Sequence, residues 1–216
     1  MELHSPEDLL TVGFSRSRVV MVNEAHHHMQ RCVRTREVGV RLLPVAHAAG
    51  VRHLAIEARH AGPFEQADMQ RLVDRAEEFG WTLIPYETRR YPVEMNDREE
   101  DQASNLVEAL STLPADAPLL VWCGWGHLYK AGLPGSDFRP MASQFWELSG
   151  VEPFSIDQTV TVEAGPRRNA PWHDLAQSHE WRLEALGGTA GFLVADSPIP
   201  YPWVDAVLLS TENVLE

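Results

Sequence analysis

Two cysteines in 216 residues are too few for a disulfide framework, so Cys32 and Cys123 read as free thiols, one in a helix and one in a strand. No apolar run approaches the roughly 18 to 20 residues that a membrane span needs, which excludes an expected membrane partner. Positive charge is scarce: 18 Lys and Arg stand against 31 Asp and Glu, for a net charge of -13. Such a chain repels polyanions, and nucleic acid is not an expected partner. The acidic start, Met1 to Asp8, lacks the basic and apolar regions of a signal peptide, so a cytoplasmic location is expected. Internal repeats and low-complexity linkers are missing as well. What remains is ordinary globular material, 44% hydrophobic and 23% charged, read as one soluble domain over residues 1–216, a monomer or homodimer.

Within that domain short apolar runs alternate with helical periodicity. Residues 18–22 (Arg-Val-Val-Met-Val) form a buried strand emptying into a polar turn at Asn23-Glu24-Ala25-His26. Helical spacing over about 29–49, stopped by Gly50, leads to a second strand at 53–56 that ends in Glu57. A helix over 63–79, stopped by Gly80, precedes a third strand at 81–86 before Glu87, and a helix over about 98–113 precedes a fourth at 118–123 that ends in Gly124-Trp125-Gly126-His127. Beyond this the spacing predicts a short helix at 141–148, a strand at 153–162, an exposed loop at 165–171 and two short strands at 191–195 and 206–209. The fold class is α/β: a mostly parallel β-sheet flanked by helices on both faces, with antiparallel strands in the C-terminal third.

In open parallel sheets ligands bind outside the carboxyl ends of the strands. Glu24, His26, Glu57, Glu87 and His127 all leave that edge, and Arg98, at a helix amino terminus, can reach back over it. A carboxylate after a strand is often just solvated, and that reading is strongest for Glu87 in its charged loop. It is weaker for Glu57, set directly against a buried strand. Of His26, His27 and His28 at most two face one side, and His26 is the functional candidate. His127 follows a Gly-Trp-Gly turn in which small residues let a ligand approach the backbone. Cys123, in an apolar strand, reads as a packed core thiol rather than a nucleophile.

These residues resemble, in order, those of the erythromycin esterase/ChaN-like superfamily, which also includes the TraB and TIKI proteins. The matching features are Asn23-Glu24-Ala25-His26 against its Gly-Glu-x-His, Leu54-Ala55-Ile56-Glu57 against its second-strand acid, Arg98-Glu99 opening a helix, and Gly124-Trp125-Gly126-His127 against its Gly-x-x-His. The likeness covers about residues 18–130, with a looser match at Val204-Asp205-Ala206-Val207. Its esterases imply a small-molecule hydrolase, cleaving an ester, lactone or amide, with His26 as general base, Glu24 or Glu57 fixing its tautomer, and Arg98 and His127 stabilising developing negative charge. No cofactor is required in that reading.

The TIKI-type members imply instead a divalent metal held by His26, His127 and Glu57, which would lower the pKa of a bound water. The ChaN members imply haem binding, for which Tyr86, Tyr91 and Tyr129 are candidate iron ligands. Among the seven tryptophans, Trp122 and Trp125 flank the His127 turn, and Trp172, Trp181 and Trp203 lie in a late region able to fold over the rim; Trp81 and Trp146 read as core. With Tyr129 and Glu87, Trp122 and Trp125 are the expected substrate contacts, for a partly apolar molecule such as a natural-product intermediate or a peptide.

Overall fold

Every residue of Val19–Glu24 is buried, and so is every residue of Leu119–Gly124, as expected of central strands in a parallel sheet covered on both faces. The computed structural model describes residues 2–27, 30–31, 33–161 and 166–210; for 26–27, 30–31 and 166–170 it describes the backbone alone. The elements run α1 (Pro6–Arg16), β1 (Val19–Glu24), β2 (His26–His27), β3 (Gln30–Arg31), α2 (Val33–Ala48), β4 (His53–Ile56), α3 (Ala67–Glu78) and β5 (Thr82–Pro85). They continue with α4 (Met95–Thr112), β6 (Leu119–Gly124), a 3-10 turn (Trp125–Leu128), α5 (Met141–Ser149), β7 (Phe154–Asp157), α6 (Pro166–Ser178), α7 (Glu180–Ala185), β8 (Thr189–Leu193), a second 3-10 turn (Val194–Asp196) and β9 (Ala206–Ser210).

Seven strands form one sheet in the order β5-β4-β6-β1-β7-β9-β8, and every neighbouring pair is parallel except β8 with β9. Alternation along the strands feeds two cores. Val20, Val22, Leu54, Ile56, Leu120 and Trp122 pack under α1, α2 and α3, against Leu9, Leu42 and Leu72. Val19, Met21, Ala55, Val121 and Cys123 face the other way, toward Ala103 and Leu106 of α4, Phe145 of α5 and Trp172 of α6. The α/β class, with helices on both faces and antiparallel pairing at the C-terminal end, is therefore what the chain adopts. Gly50 and Gly80, with φ of 91° and 71°, sit just past α2 and α3 in the left-handed conformation that an expected helix stop requires.

Several boundaries differ from the sequence reading for identifiable reasons. Asn23 and Glu24 belong to β1 rather than to a turn after it, because both stay in register with Cys123 and Gly124 of β6. The helix expected from 63 starts at Ala67, after a cis Gly62-Pro63 bond, and α4 starts at Met95, a turn earlier than expected. Helix α1 has little amphipathic pattern but a full capping box, with Ser5 and Asp8 satisfying each other's backbone donors. Of the loop expected at 165–171, residues 166–171 form the start of α6; residue 165 lies outside the described residues. Cys32 and His28 lie outside them too.

Candidate active site

Glu57 follows Ile56, whose side chain enters the α2/α3 core, so alternation turns the carboxylate toward α4. Helix α4 brings Arg98 and Glu99 to that point in its first turns; the Arg98 amide already donates to the Glu94 carbonyl at 2.9 Å, so its position is fixed by helix geometry. From the third direction β6 ends at Gly124, and the 3-10 turn that follows carries His127 over the strand ends. Glu87, just past β5, completes the group.

The contacts form a continuous array. Arg98 Nη2 donates to Glu57 Oε1 at 2.6 Å and also to Glu87, whose other oxygen accepts from Arg98 Nε at 3.1 Å. His127 Nε2 lies 3.3 Å from the same Glu57 oxygen and 3.5 Å from Arg98 Nη1. The Gly124 amide donates to the second Glu57 oxygen at 2.6 Å. On the far side of the ring His127 Nδ1 meets Glu99 at 2.7 Å, and Glu99 is itself anchored by the Met141 amide at 2.8 Å. Gln102 Nε2 and the Thr88 amide hold Glu87 at 3.1 and 2.7 Å.

Both imidazole nitrogens thus face carboxylates. Burial by itself would lower the His127 pKa, but the Glu57 charge and the hydrogen bonds to Glu57 and Glu99 outweigh it and raise the value to about 10. Burial pushes Glu57 the opposite way, and His127, Arg98 and the Gly124 amide together hold it well below the usual carboxylate range. At neutral pH the array is therefore a carboxylate clasped between a guanidinium and an imidazolium. Arg98 is 32% exposed while Glu99 is 1% exposed, so the guanidinium is the member that a substrate can reach.

The structure brings together Glu57, Glu87, Arg98 and His127 but places Glu24 elsewhere. Glu24 shares its strand face with Val20 and Val22, and β6 lies between it and β4. Its carboxylate accepts from Arg36 Nε and from the Trp122 indole at 2.6 and 2.7 Å, and Arg36 reaches on to Asp68 at 3.0 Å. Trp122, an expected substrate contact, is for the same reason a core residue at 2% exposure, since its strand position points it under α2 and not at the rim. Trp146, expected in the core, is 39% exposed beside Lys130, whereas Trp81 is buried as expected. The His26 side chain lies outside the described residues; its backbone pairs with Arg31 in the β2–β3 hairpin directly after β1.

Trp125 and Tyr129 line a cavity of about 260 Å3 with Trp172, Tyr201 and Trp203, on the other side of the 3-10 turn from Glu57; Trp181 is exposed on the surface. Tyr86 donates its hydroxyl to the Trp122 carbonyl and Tyr91 is 85% exposed, so the three tyrosines considered for iron do not converge. Among the described residues no three His, Cys, Asp or Glu side chains are grouped to hold a metal ion. Burial pushes the Cys123 thiol well up, in keeping with a packed core thiol.

Sequence reasoning missed the role of Glu99, named only beside Arg98 at the opening of a helix, and missed Gln102. The signal was their spacing: 98, 99 and 102 share one side of a helix whose other positions, 103, 106 and 110, are apolar. It also missed Asp157, although Ser155-Ile156-Asp157 repeats the pattern of a strand ending in an acid.

No protein-family model matches this sequence, and no curated protein does either. Solved structures do. An RRSP domain, a MARTX toxin effector domain from Vibrio vulnificus CMCP6, superposes with a TM-score of 0.51 at 12% identity over 72% of this chain. A structure described as bacterial protein toxins gives 0.53 at 12% identity over 71%. The type III effector HopBA1 gives 0.48 at 15% identity over 74% of this chain and 86% of its own. The chain spans 36% of the length of each of the first two. At these identities the first two likenesses show a shared fold. They also correct the resemblance drawn from the sequence: the matched structures are toxin and effector proteins, not erythromycin esterase/ChaN-like proteins. The four short motifs express a common geometry, acids and imidazoles at parallel-strand ends, which does not by itself define a family.

Proposed function

We propose that the chain is an acid–base enzyme, most simply a hydrolase of an ester, lactone or amide, working at the Glu57–Arg98–His127 array. The observation that carries this reading is that Arg98 Nη1 and His127 Nε2 stand 3.5 Å apart over one carboxylate at the carboxyl rim of the sheet, with the guanidinium partly exposed. Two fixed cations are suited to receive negative charge as it develops on a carbonyl oxygen, because they need no reorganisation when the charge appears. Glu57 holds them together in the resting state, and Glu99, buried and anchored on the Met141 amide, fixes the imidazolium from behind.

The base in this reading is His26, delivered by the hairpin that follows β1. Glu24 would act on it as a positioning residue, through the strand end that Arg36 and Trp122 clamp. The toxin and effector names attached to structures of the same fold support an effector-type enzyme, and peptides, expected from the sequence as an alternative to a natural-product intermediate, are tested beside small esters. The test is turnover of a p-nitrophenyl ester series and a peptide library, read by absorbance and mass spectrometry, in the wild type and in Arg98→Met, His127→Gln and His26→Ala. Each substitution should reduce turnover by about 100-fold or more. Wild-type rates in both Arg98→Met and His127→Gln would overturn the proposal.

A further inference from the structure

Beside the charged array lies a second, chemically different feature. The cavity of about 260 Å3 is walled by Trp125, Tyr129, Trp172, Tyr201 and Trp203, with Thr159 among its other lining residues and no cationic or carboxylate side chain among those described. That volume is at the small end of ligand pockets, which begin at about 300 Å3. The touching rings are not parallel: Trp125 meets Tyr129 at 72°, Tyr129 meets Tyr201 at 90°, Tyr201 meets Trp203 at 85° and Trp172 meets Tyr201 at 78°. A planar aromatic ligand would need a slot between two parallel faces. Rings inclined in this way, with Tyr129 and Trp203 at 41°, present π faces and edges from several directions, which suits a rounded group.

Behind this wall sits a carboxylate that, among the described residues, has no cation on it. Asp157 is 0% exposed. One of its oxygens accepts from Asn23 Nδ2, the Thr159 amide and the Thr159 hydroxyl at 2.8, 2.8 and 2.7 Å; the other accepts from the Tyr201 hydroxyl at 2.8 Å. Tyr129 adds its hydroxyl to that of Tyr201 at 2.9 Å. Every described donor to it is neutral, and the carboxylate lies behind Tyr201, out of reach of a ligand in the cavity. Burial and the Asp157 charge push the Tyr201 hydroxyl far above its ordinary value, keeping it a donor.

We infer that this cavity binds an N-methylated ammonium group, of the trimethylammonium type, on the aromatic faces of Trp125, Tyr129, Trp172, Tyr201 and Trp203 backed by the Asp157 charge. Ring faces attract cations, and a buried negative charge adds to the attraction in a site sheltered from solvent. A primary ammonium is a poorer fit, because its N–H groups need acceptors and Asp157 is sealed behind Tyr201. The side chains of the charged array do not line the cavity, so binding there does not depend on the chemistry proposed for Glu57, Arg98 and His127.

The test is titration of the intact chain, followed by tryptophan fluorescence and calorimetry at about 0.15 M salt, where the Debye length of about 8 Å screens its general negative charge. The probes are choline, its neutral isostere 3,3-dimethylbutan-1-ol, the primary amine ethanolamine, and N-acetyl-trimethyllysine amide beside its unmethylated form. Saturable binding of either trimethylammonium probe at least tenfold tighter than its neutral or unmethylated counterpart is expected, and the tighter of the two identifies a small-molecule or a peptide source. Tyr201→Phe, which severs the link to Asp157, and Trp125→Leu should each weaken that probe several-fold while the far-ultraviolet circular dichroism stays that of the wild type; Tyr201→Phe should also lower the thermal midpoint, because one oxygen of the buried Asp157 loses its hydroxyl donor. Equal binding of choline and its isostere would show a merely apolar cavity and overturn the inference. So would non-saturable binding that the two variants leave unchanged.

Discussion

Two arginines in this molecule each lie between two acids, and the two groups behave differently. Arg36 joins Glu24 to Asp68 under α2 with 7% of its side chain exposed; Arg98 joins Glu57 to Glu87 at the rim with 32% exposed. The carboxylates differ little, at 11% exposure for Glu24 and 15% for Glu57. What separates the groups is the access of the cation, with His127 beside it at the rim. A sealed group can only fix one strand end and one helix against each other, whereas the rim group holds charge where a ligand can meet it.

Removal of each arginine puts that distinction to its hardest test. Arg36→Met removes the guanidinium that joins Glu24 to Asp68 in a buried network, and truncating one side of a buried ion network destabilises by about 3–5 kcal/mol. A large fall in the denaturation midpoint is expected by circular dichroism, since that is a substantial part of the stability of a typical domain. In Arg98→Met the lost cation is itself partly exposed, water can enter the space it leaves and His127 still faces Glu57, so the loss of stability should be about 1–2 kcal/mol. Equal losses in the two variants would erase the contrast.

Much of the contrast could be read from sequence, and the remainder shows what sequence conceals. Strands ending in Glu57 and His127, and a helix opening near Arg98, were legible because a short β-branched run followed by a polar residue has few other interpretations in an α/β chain. The separation of Glu24 from Glu57 was not, because it depends on β6 being inserted between β1 and β4, and strand order is not written in hydrophobic periodicity. Nor was the partnership of Arg36 with Glu24. Arg36 lies on a helix that the sequence reading places correctly in the main, but a buried arginine looks like any other until the opposing acid is known. The aromatic cavity was partly anticipated through Trp125, Trp172 and Trp203, while the acid sealed behind it, Asp157, was missed.

Alkaline pH sharpens the comparison at the rim alone. The His127 pKa is raised above its unfolded value of 6.5 to about 10, so the imidazolium contributes stability that is fully present below about pH 6.5 and is lost as pH rises through about 10. The unfolding midpoint of the wild type should therefore fall between pH 7 and 10.5 by more than that of His127→Gln, in which this contribution is missing at every pH. Parallel profiles for the two proteins would mean that the imidazolium is not held as described. Among the described residues the sealed group contains no histidine, and Arg36 keeps its charge across this range, so these residues should add nothing to the difference.

The smallest effect should come from a single methyl group placed against the sealed acid. Gly39 of α2 leaves room for Trp122: a Cβ built there would stand 2.6 Å from the Trp122 ring, closer than real contacts allow. Trp122 in turn donates its indole to Glu24 at 2.7 Å. Gly39→Ala gains about 1 kcal/mol of helix propensity, yet the overpacking it forces costs about 1–3 kcal/mol, so a modest net loss of up to about 2 kcal/mol is expected. The more telling readout is local. If the indole is displaced, near-ultraviolet circular dichroism of the tryptophans should change while the His127 titration stays where it is, because β6 separates the two groups by their faces of the sheet. A shift of the His127 titration in this variant would show that the two arginine groups are coupled through Trp122 and Cys123, and that the rim cannot be understood apart from the sealed cluster.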